Sequence, residues 1–312
     1  MTKALIIYNT CGISGKDNTD FYLNAIGTIL QQEFIDFDIV VSSCLNTQFT
    51  IDKIYETYKD KLSINWTKEV LPINTTFNHS ILEQVKRKGK YDGYFLMDSD
   101  ILLQKTSDVY NLFSILKSGP NGMVSARTNT DTGLSWWFNT DTYQDLIKNG
   151  NFTVPLGKAI NSHFQVYSSE FFDFYGKILC DIFAGYCSES VMTFVCSAIK
   201  QNWILSKDVL VYHHHCMDGS SSGFDPEEWR KTRNHYDHPF RINSIMDRVA
   251  SDEAKKLGLG YEEWLKIVVH DPAQYDENGF CINDELKNYI KDNLYLKNNE
   301  LNYEDIEHEF IE

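Results

Sequence analysis

Positive charge is scarce in this chain of 312 residues: 29 Lys and Arg stand against 44 Asp and Glu, a net charge of −15. That balance disfavours nucleic acid and anionic membrane as partners, because phosphate contacts are made by Lys and Arg. A local basic cleft stays open. Long apolar runs are also missing, and none approaches the roughly 20 residues of a membrane span. The apolar part of the opening MTKALIIYNT is too short for a secretory leader and reads as a first strand. The seven cysteines (11, 44, 180, 187, 196, 216 and 281) are odd in number and show no C-x-x-C spacing. Most lie in apolar context, which points to reduced core thiols and a cytoplasmic setting. Sequons at Asn65, Asn74, Asn78 and Asn151 carry little weight in such a setting. No internal repeat is present.

Apolar material is plentiful. Hydrophobic residues make up 42% of the chain, with 18 Tyr, 19 Phe and 6 Trp. This is enough for one large α/β domain with an appendage, or for two modest domains. Strand-like runs occur at Lys3 to Tyr8, Phe37 to Val41, Leu62 to Trp66 and Tyr94 to Met97. Helical spacing lies between them, at Phe21 to Glu33, Thr50 to Tyr58 and His79 to Lys88. This alternation predicts a mainly parallel sheet with helices on its faces. Beyond it, Ser107 to Lys117, Glu170 to Phe183 and Ser190 to Gln201 read as helices, and Gly122 to Ala126 and Ser162 to Tyr167 as strands. From Ala250 the chain is rich in Asp, Glu, Lys and Asn and reads as an acidic helical tail.

The most informative stretch is YDGYFLMDSDILL, Tyr91 to Leu103. A buried strand runs into two carboxylates, Asp98 and Asp100, one residue apart. Ionised carboxylates are costly to bury unless paired or metal-bound, and their oxygens are the ligands that Mg²⁺ and Mn²⁺ prefer. The pattern suggests a divalent metal gripping a nucleotide diphosphate; an Asp helix cap with a second acid in a turn is the plainer alternative. Ligands of parallel sheets bind beyond the carboxyl ends of strands. Thr10-Cys11, Ser42-Ser43-Cys44 and Asp98-Ser99-Asp100 all lie at such ends. Thr10, Ser42, Asp98, Ser99 and Asp100 are therefore expected around one donor cleft.

Further along, Val209 to Tyr212 reads as a late strand that runs into His213-His214-His215. Strand alternation puts His213 and His215 on one face and His214 on the other. Trp136 and Trp137 lie in a polar loop. They suit stacking on a sugar face or anchoring the loop in the core. Arg127 suits a diphosphate oxygen, but a surface ion pair is the stronger expectation. Lys231, Arg233 and Arg241 belong to a polar stretch around Ser220-Ser221-Ser222-Gly223 that would suit a lid over phosphates, or simply a solvated charged face.

In order and spacing, residues 3 to 216 resemble a glycosyltransferase of the GT-A fold, similar in layout to the family-2 type. The resemblance rests on LNAIGTILQQ after the first strand, the FDIVVSS strand, the D-x-D, YCSESVMTFVCSAIKQNW some ninety residues later, and a late strand ending in histidine. It departs from the family at Ser42-Ser43-Cys44, where Asp-Asp is usual, and at Glu189-Ser190, where Glu-Asp is usual. The resemblance implies a metal held by Asp98 and Asp100, with His213 or His215 completing its shell. It also implies a catalytic role for Glu189 as general base. With Ser190 in the Asp position, a retaining enzyme is equally open. The plainer reading of Glu189 is charge complementarity at a helix start capped by Ser188.

The expected fold is α/β, of the GT-A class, Rossmann-like, with a mainly parallel sheet flanked by helices and an acidic helical C-terminal extension. Residues 1–218 would form the catalytic domain, 219–249 a lid or linker, and 250–312 the extension. The expected activity is metal-dependent transfer of a sugar from a nucleotide-sugar donor, UDP- or GDP-linked, with Mn²⁺ or Mg²⁺. The acceptor would be a glycan, a lipid-linked glycan, a protein or a small molecule, held near Trp136 and Trp137. A sugar nucleotidyltransferase, or a non-catalytic glycan-binding or scaffold protein on a decayed transferase fold, are the alternatives.

Overall fold

The computed structural model describes residues 3–12, 17–68, 71, 73–129, 146–156, 160, 162–179, 189–214, 275–294 and 303–312. Four parallel strands form its centre: β1 (Lys3–Cys11), β2 (Asp36–Cys44), β3 (Ser63–Thr67) and β4 (Gly93–Met97). Between them lie α1 (Thr19–Leu30), α2 (Gln48–Tyr58) and α3 (Ile73–Lys88). The expected alternation of strand and helix is what the chain builds. Ala4 to Tyr8 are fully buried, as a central strand covered on both faces requires.

The second half adds β5 (Ile101–Leu102), α4 (Asp108–Lys117), β6 (Asn121–Thr128), β7 (Phe152–Thr153) and β8 (Phe164–Ser168). It continues with α5 (Ser169–Tyr175), α6 (Glu189–Ala198) and β9 (Asn202–His213). The C-terminal part contributes α7 (Asp284–Leu294) and β10 (His308–Ile311). The described strands run in the order β10-β3-β2-β1-β4-β8-β6-β9-β5, with β7 beside β9. β8 is antiparallel to both β4 and β6, whereas β6 and β9 are parallel. β8 is thus inserted against the grain between β4 and β6, and its first residues meet the end of β4.

Each face of the sheet carries its own core. Leu5, Ile7, Val40 and Leu96 pack with α3, α5, α6 and α7 through Phe77, Ile81, Phe171, Phe194 and Ile290. Ile6, Tyr8, Val41 and Met97 pack with α1, α2 and α4 through Ala25, Ile51, Val109 and Leu112. Alternate residues of a strand feed opposite cores. Among the described residues no helix is long and apolar enough to cross a membrane.

Three elements differ from the sequence expectation for physical reasons. The aromatic helix expected over Glu170 to Phe183 stops at Tyr175, because Gly176 takes a left-handed conformation (φ 78°) and its N–H caps Phe172 O. α3 begins at Ile73 rather than His79, since its polar first turns are satisfied internally. Asn78 donates to Leu179 O at 2.9 Å and accepts from the N–H groups of Ile178 and Leu179 at 3.2 and 3.0 Å. The acidic tail is not only helical: its last residues form β10, antiparallel to β3. Asn65, Asn74 and Asn78 are all buried, so these sequons are closed to a glycan in the folded chain.

At the start of β2, Asp38 takes Lys3 Nζ at 2.7 Å and the Tyr91 hydroxyl at 2.6 Å. Burial pushes its carboxyl up, but these two partners outweigh that and hold it below the ordinary value. A folded-state value below the unfolded one (about 3.9) stabilises the fold fully above the unfolded value. That contribution is lost as pH falls through the folded value. Asp38→Asn should therefore cost about 1 kcal/mol at neutral pH, and the melting-temperature gap to wild type should close on acidification below the ordinary carboxylate range. A gap that does not change with pH would refute the ion-pair account.

Candidate metal and diphosphate site

β4 delivers the chain to Asp98-Ser99-Asp100, a tight turn closed by Ile101 N–H to Asp98 O at 3.4 Å. Three distant segments hold this turn. β5 folds back antiparallel to the end of β9, with Ile101 opposite His213, and His214 N–H donates to Asp100 O at 2.9 Å. On the other side Asp98 N–H donates to His163 O at 3.0 Å, just before β8. From within the sheet, the Tyr8 hydroxyl donates to Ser99 O at 2.8 Å. Burial raises the Tyr8 phenol well above its ordinary value, with Tyr22 and Asp100 adding to the effect, so it remains a proton donor.

The side chains pair across the same gap. His163 Nδ1 lies 2.9 Å from Asp98 Oδ2, and His213 Nε2 lies 2.6 Å from Asp100 Oδ2. The two imidazoles stack on one another, 4.2 Å between centroids. The pairs differ in access to water. The Asp98 side chain is 32% exposed, whereas Asp100 and His213 are only 2% and 4% exposed. Burial raises the Asp98 carboxyl above its ordinary value; His163 opposes this and nearby Asp100 reinforces it. The arrangement concentrates two acids where solvent alone does not neutralise both. The donor types, carboxylate oxygen and imidazole nitrogen, are ones that Mn²⁺-like ions accept, but in this structure Asp98 is engaged by His163 and Asp100 by His213.

His163 escaped the sequence analysis. It lies just before the strand, with no motif around it, and only the antiparallel insertion of β8 carries it to Asp98. Phe164, the next residue, pairs with Met97, the residue before Asp98.

Thr10 and Ser42, expected to share the donor cleft, are both fully buried and face opposite sides of the sheet. Thr10 Oγ1 donates to Asn46 Oδ1 at 2.9 Å, and Ser43 Oγ donates to the same oxygen at 2.7 Å. Ser42 instead donates to Thr76 O at 3.1 Å and accepts from Ser80 Oγ at 2.8 Å, both in α3. Asn46 in turn donates to Asp17 Oδ1 at 3.0 Å, while Asp17 Oδ2 accepts from the N–H and hydroxyl of Thr47 at 2.8 and 2.7 Å. Gly12 lies so close to this loop that a Cβ would stand 2.3 Å from Leu45 O and 2.8 Å from Asn46 Cα. Sequence reasoning found these strand ends but not Asn46 and Asp17, which knit them together.

Ser99 enters the site through its backbone carbonyl. Arg127 donates to Lys207 O at 2.7 Å, a contact within the sheet. Glu189 is the first residue of α6. His214 packs against Phe21 of α1, the rings tilted by 31° and 5.2 Å apart between centroids. Trp136, Trp137, His215, Lys231, Arg233, Arg241 and the 219–249 segment lie outside the described residues.

No protein-family model matches the sequence, and no curated protein matches it. Solved structures do resemble the fold. The mannosyltransferase PcManGT from Pyrobaculum calidifontis, in complex with GDP-Man and Mn²⁺, aligns with a TM-score of 0.52 and 14% identity over 83% of this chain and 74% of its own. TarS (residues 1–349) from S. aureus aligns at 0.46 and 13% over 88% and 77%. The 4-diphosphocytidyl-2C-methyl-D-erythritol synthase from Anaerococcus prevotii DSM 20548 aligns at 0.43 and 11% over 75% and 96%. The mixed α/β architecture, with a parallel centre flanked by helices, is the GT-A-like fold that this chain shares with PcManGT.

The difference in burial predicts a difference in stability. Asp100→Ala leaves His213 buried without its carboxylate and should cost on the order of 3 kcal/mol. Asp98→Asn removes a charge that the fold disfavours, so the metal-free protein should melt no lower than wild type. Thermal denaturation of both variants tests this; equal losses would contradict it.

Proposed function

We propose that this chain is a metal-dependent glycosyltransferase acting on a nucleotide-sugar donor. The observation that carries the reading is the pairing of Asp98 and Asp100 with His163 and His213 at the carboxyl end of β4. Ligands of such sheets bind there. The support from the fold is that a mannosyltransferase sharing it was solved with GDP-Man and Mn²⁺. With a net charge of −15, the chain has a strong reason to recruit a cation for a diphosphate.

Asp98, Asp100 and His213 would hold Mn²⁺ or Mg²⁺, with His215 as a further candidate ligand. When bound, such an ion neutralises charge on a departing nucleoside diphosphate. His163 fixes the Asp98 carboxylate through its Nδ1 contact. Tyr8 holds the turn through Ser99 O, and binding would exchange the contact between Asp100 and His213 for contacts to the ion. Thr10 acts through Asn46, and Ser42 anchors α3 beside the cleft. Glu189, opening α6, is the candidate base for the acceptor hydroxyl if transfer inverts the sugar. Trp136 and Trp137 are the candidate acceptor platform. A glycan, a lipid-linked glycan, a protein or a small molecule remains the acceptor class.

A thermal-shift screen of GDP-mannose, other GDP-sugars and UDP-sugars, with and without Mn²⁺, tests the donor. One nucleotide should raise the melting temperature, and only with the metal. Release of nucleoside diphosphate, rather than pyrophosphate from a triphosphate and a sugar phosphate, distinguishes transfer from nucleotidyl transfer. Asp98→Asn should remove the Mn²⁺-dependent shift and lower turnover by roughly a thousandfold, the several kcal/mol expected of a metal. A folded Asp98→Asn protein with full activity would defeat the reading.

A further inference from the structure

A second cluster of metal-ligating groups lies at the opposite edge of the sheet, where β10 joins β3. His79 and Glu83 stand four residues apart on α3 and so share a face. His308 opens β10 opposite Thr67. The ligand atoms of these three residues all lie within 4.8 Å of one another. His308 Nε2 is 3.6 Å from Glu83 Oε2, close to the spacing of about 3.3 Å that two ligands adopt around a tetrahedral ion. The rings of His79 and His308 meet edge to face, 4.4 Å between centroids.

The nitrogens are prepared for this role. His308 Nδ1 contacts Ile306 O at 3.0 Å. A proton on that nitrogen leaves Nε2 with its lone pair facing Glu83. His79 is 1% exposed, and its Nε2 has no hydrogen-bond partner. A buried polar atom without a partner calls for an explanation. Behind it, His79 Nδ1 lies 3.1 Å from the Asn65 amide, which is 2.9 Å from Ser80 Oγ, itself 2.8 Å from Ser42 Oγ. Turning the amide and reversing both hydroxyls gives Ser42 to Ser80 to Asn65 Oδ1, with His79 Nδ1–H donating to the same oxygen. The turn exchanges only Asn65 Oδ1 and Nδ2, Ser42 gives up its bond to Thr76 O, and His79 Nε2 is released as a ligand. This is the outer-shell support that ligating histidines usually have. Lys86 and Arg87 approach Glu83 at 3.9 and 3.8 Å, beyond hydrogen-bond distance, and Arg87 lies over Phe310 of β10 at 4.1 Å.

We propose that His79, Glu83 and His308 bind a transition-metal dication of the Zn²⁺ class, which fastens the C-terminal strand to α3. Two imidazoles and one carboxylate favour Zn²⁺ or Co²⁺ over Mg²⁺. Three protein ligands leave one position for water. The site lies across β3, β2 and β1 from the Asp98 turn and does not depend on the transferase reading.

The test uses the full chain stripped of metal and titrated with Zn²⁺, and with Co²⁺ as a spectroscopic probe. The Asp98→Asn background removes the other site's contribution. In that background one equivalent of Zn²⁺ should bind and raise the melting temperature, and Co²⁺ should give an intense visible band of tetrahedral type. His308→Ala and Glu83→Gln should each weaken Zn²⁺ binding by more than about tenfold; neither residue is in the buried core, so both variants should fold. His308→Cys, which restores a ligand, should regain binding with an altered Co²⁺ spectrum. No Zn²⁺ binding in the Asp98→Asn background, or binding indifferent to His308 and Glu83, overturns the proposal.

Discussion

The contact between Asp100 and His213, 2.6 Å long and shielded from water, governs the architecture of the candidate site. A carboxylate at the end of a buried strand is tolerated only with a partner. Here the partner comes from more than a hundred residues later, at the end of β9. Satisfying it requires β5 to turn back along β9, which sets the direction of the chain after the Asp98 turn. The same closure presents the Asp100 carbonyl to His214 N–H. Asp98 is left beside His163, within reach of water and of a ligand.

This division of labour resolves a conflict between stability and function. Two carboxylates one residue apart repel each other, and removing both from water would be costly. The fold buries one against an imidazole and leaves the other partly hydrated, with its carboxyl raised by its surroundings. A divalent cation held there, as proposed, would relieve that cost. Sites of chemistry are where such unrelieved electrostatic cost is expected.

The edge cluster of His79, Glu83 and His308 obeys the same logic with a different result. There the uncompensated group is a buried imidazole nitrogen. Its neighbours are another imidazole and a carboxylate rather than a pair of acids. Chemistry of that type selects a softer ion, and its place on β10 links it to the attachment of the chain end.

The sequence by itself determined the alternation of β1 to β4 with α1 to α3, because buried strands and amphipathic helices are local patterns of apolar residues. It also placed Asp98 and Asp100 at a strand end, since two acids after YFLM are locally anomalous. His213 was visible as the end of a late apolar run. Tertiary structure decided the rest. His163 reaches Asp98 only because β8 is inserted antiparallel, and pairing direction is a property of two strands. Thr10 and Ser42 look equivalent as strand-end hydroxyls, yet the register assigns them to opposite faces. The polar start of α3 hides a helix because its side-chain partners, around Leu179, are distant in sequence. β10 lies in a segment whose composition suggests a solvated helix, and it becomes a strand because β3 offers it an open edge.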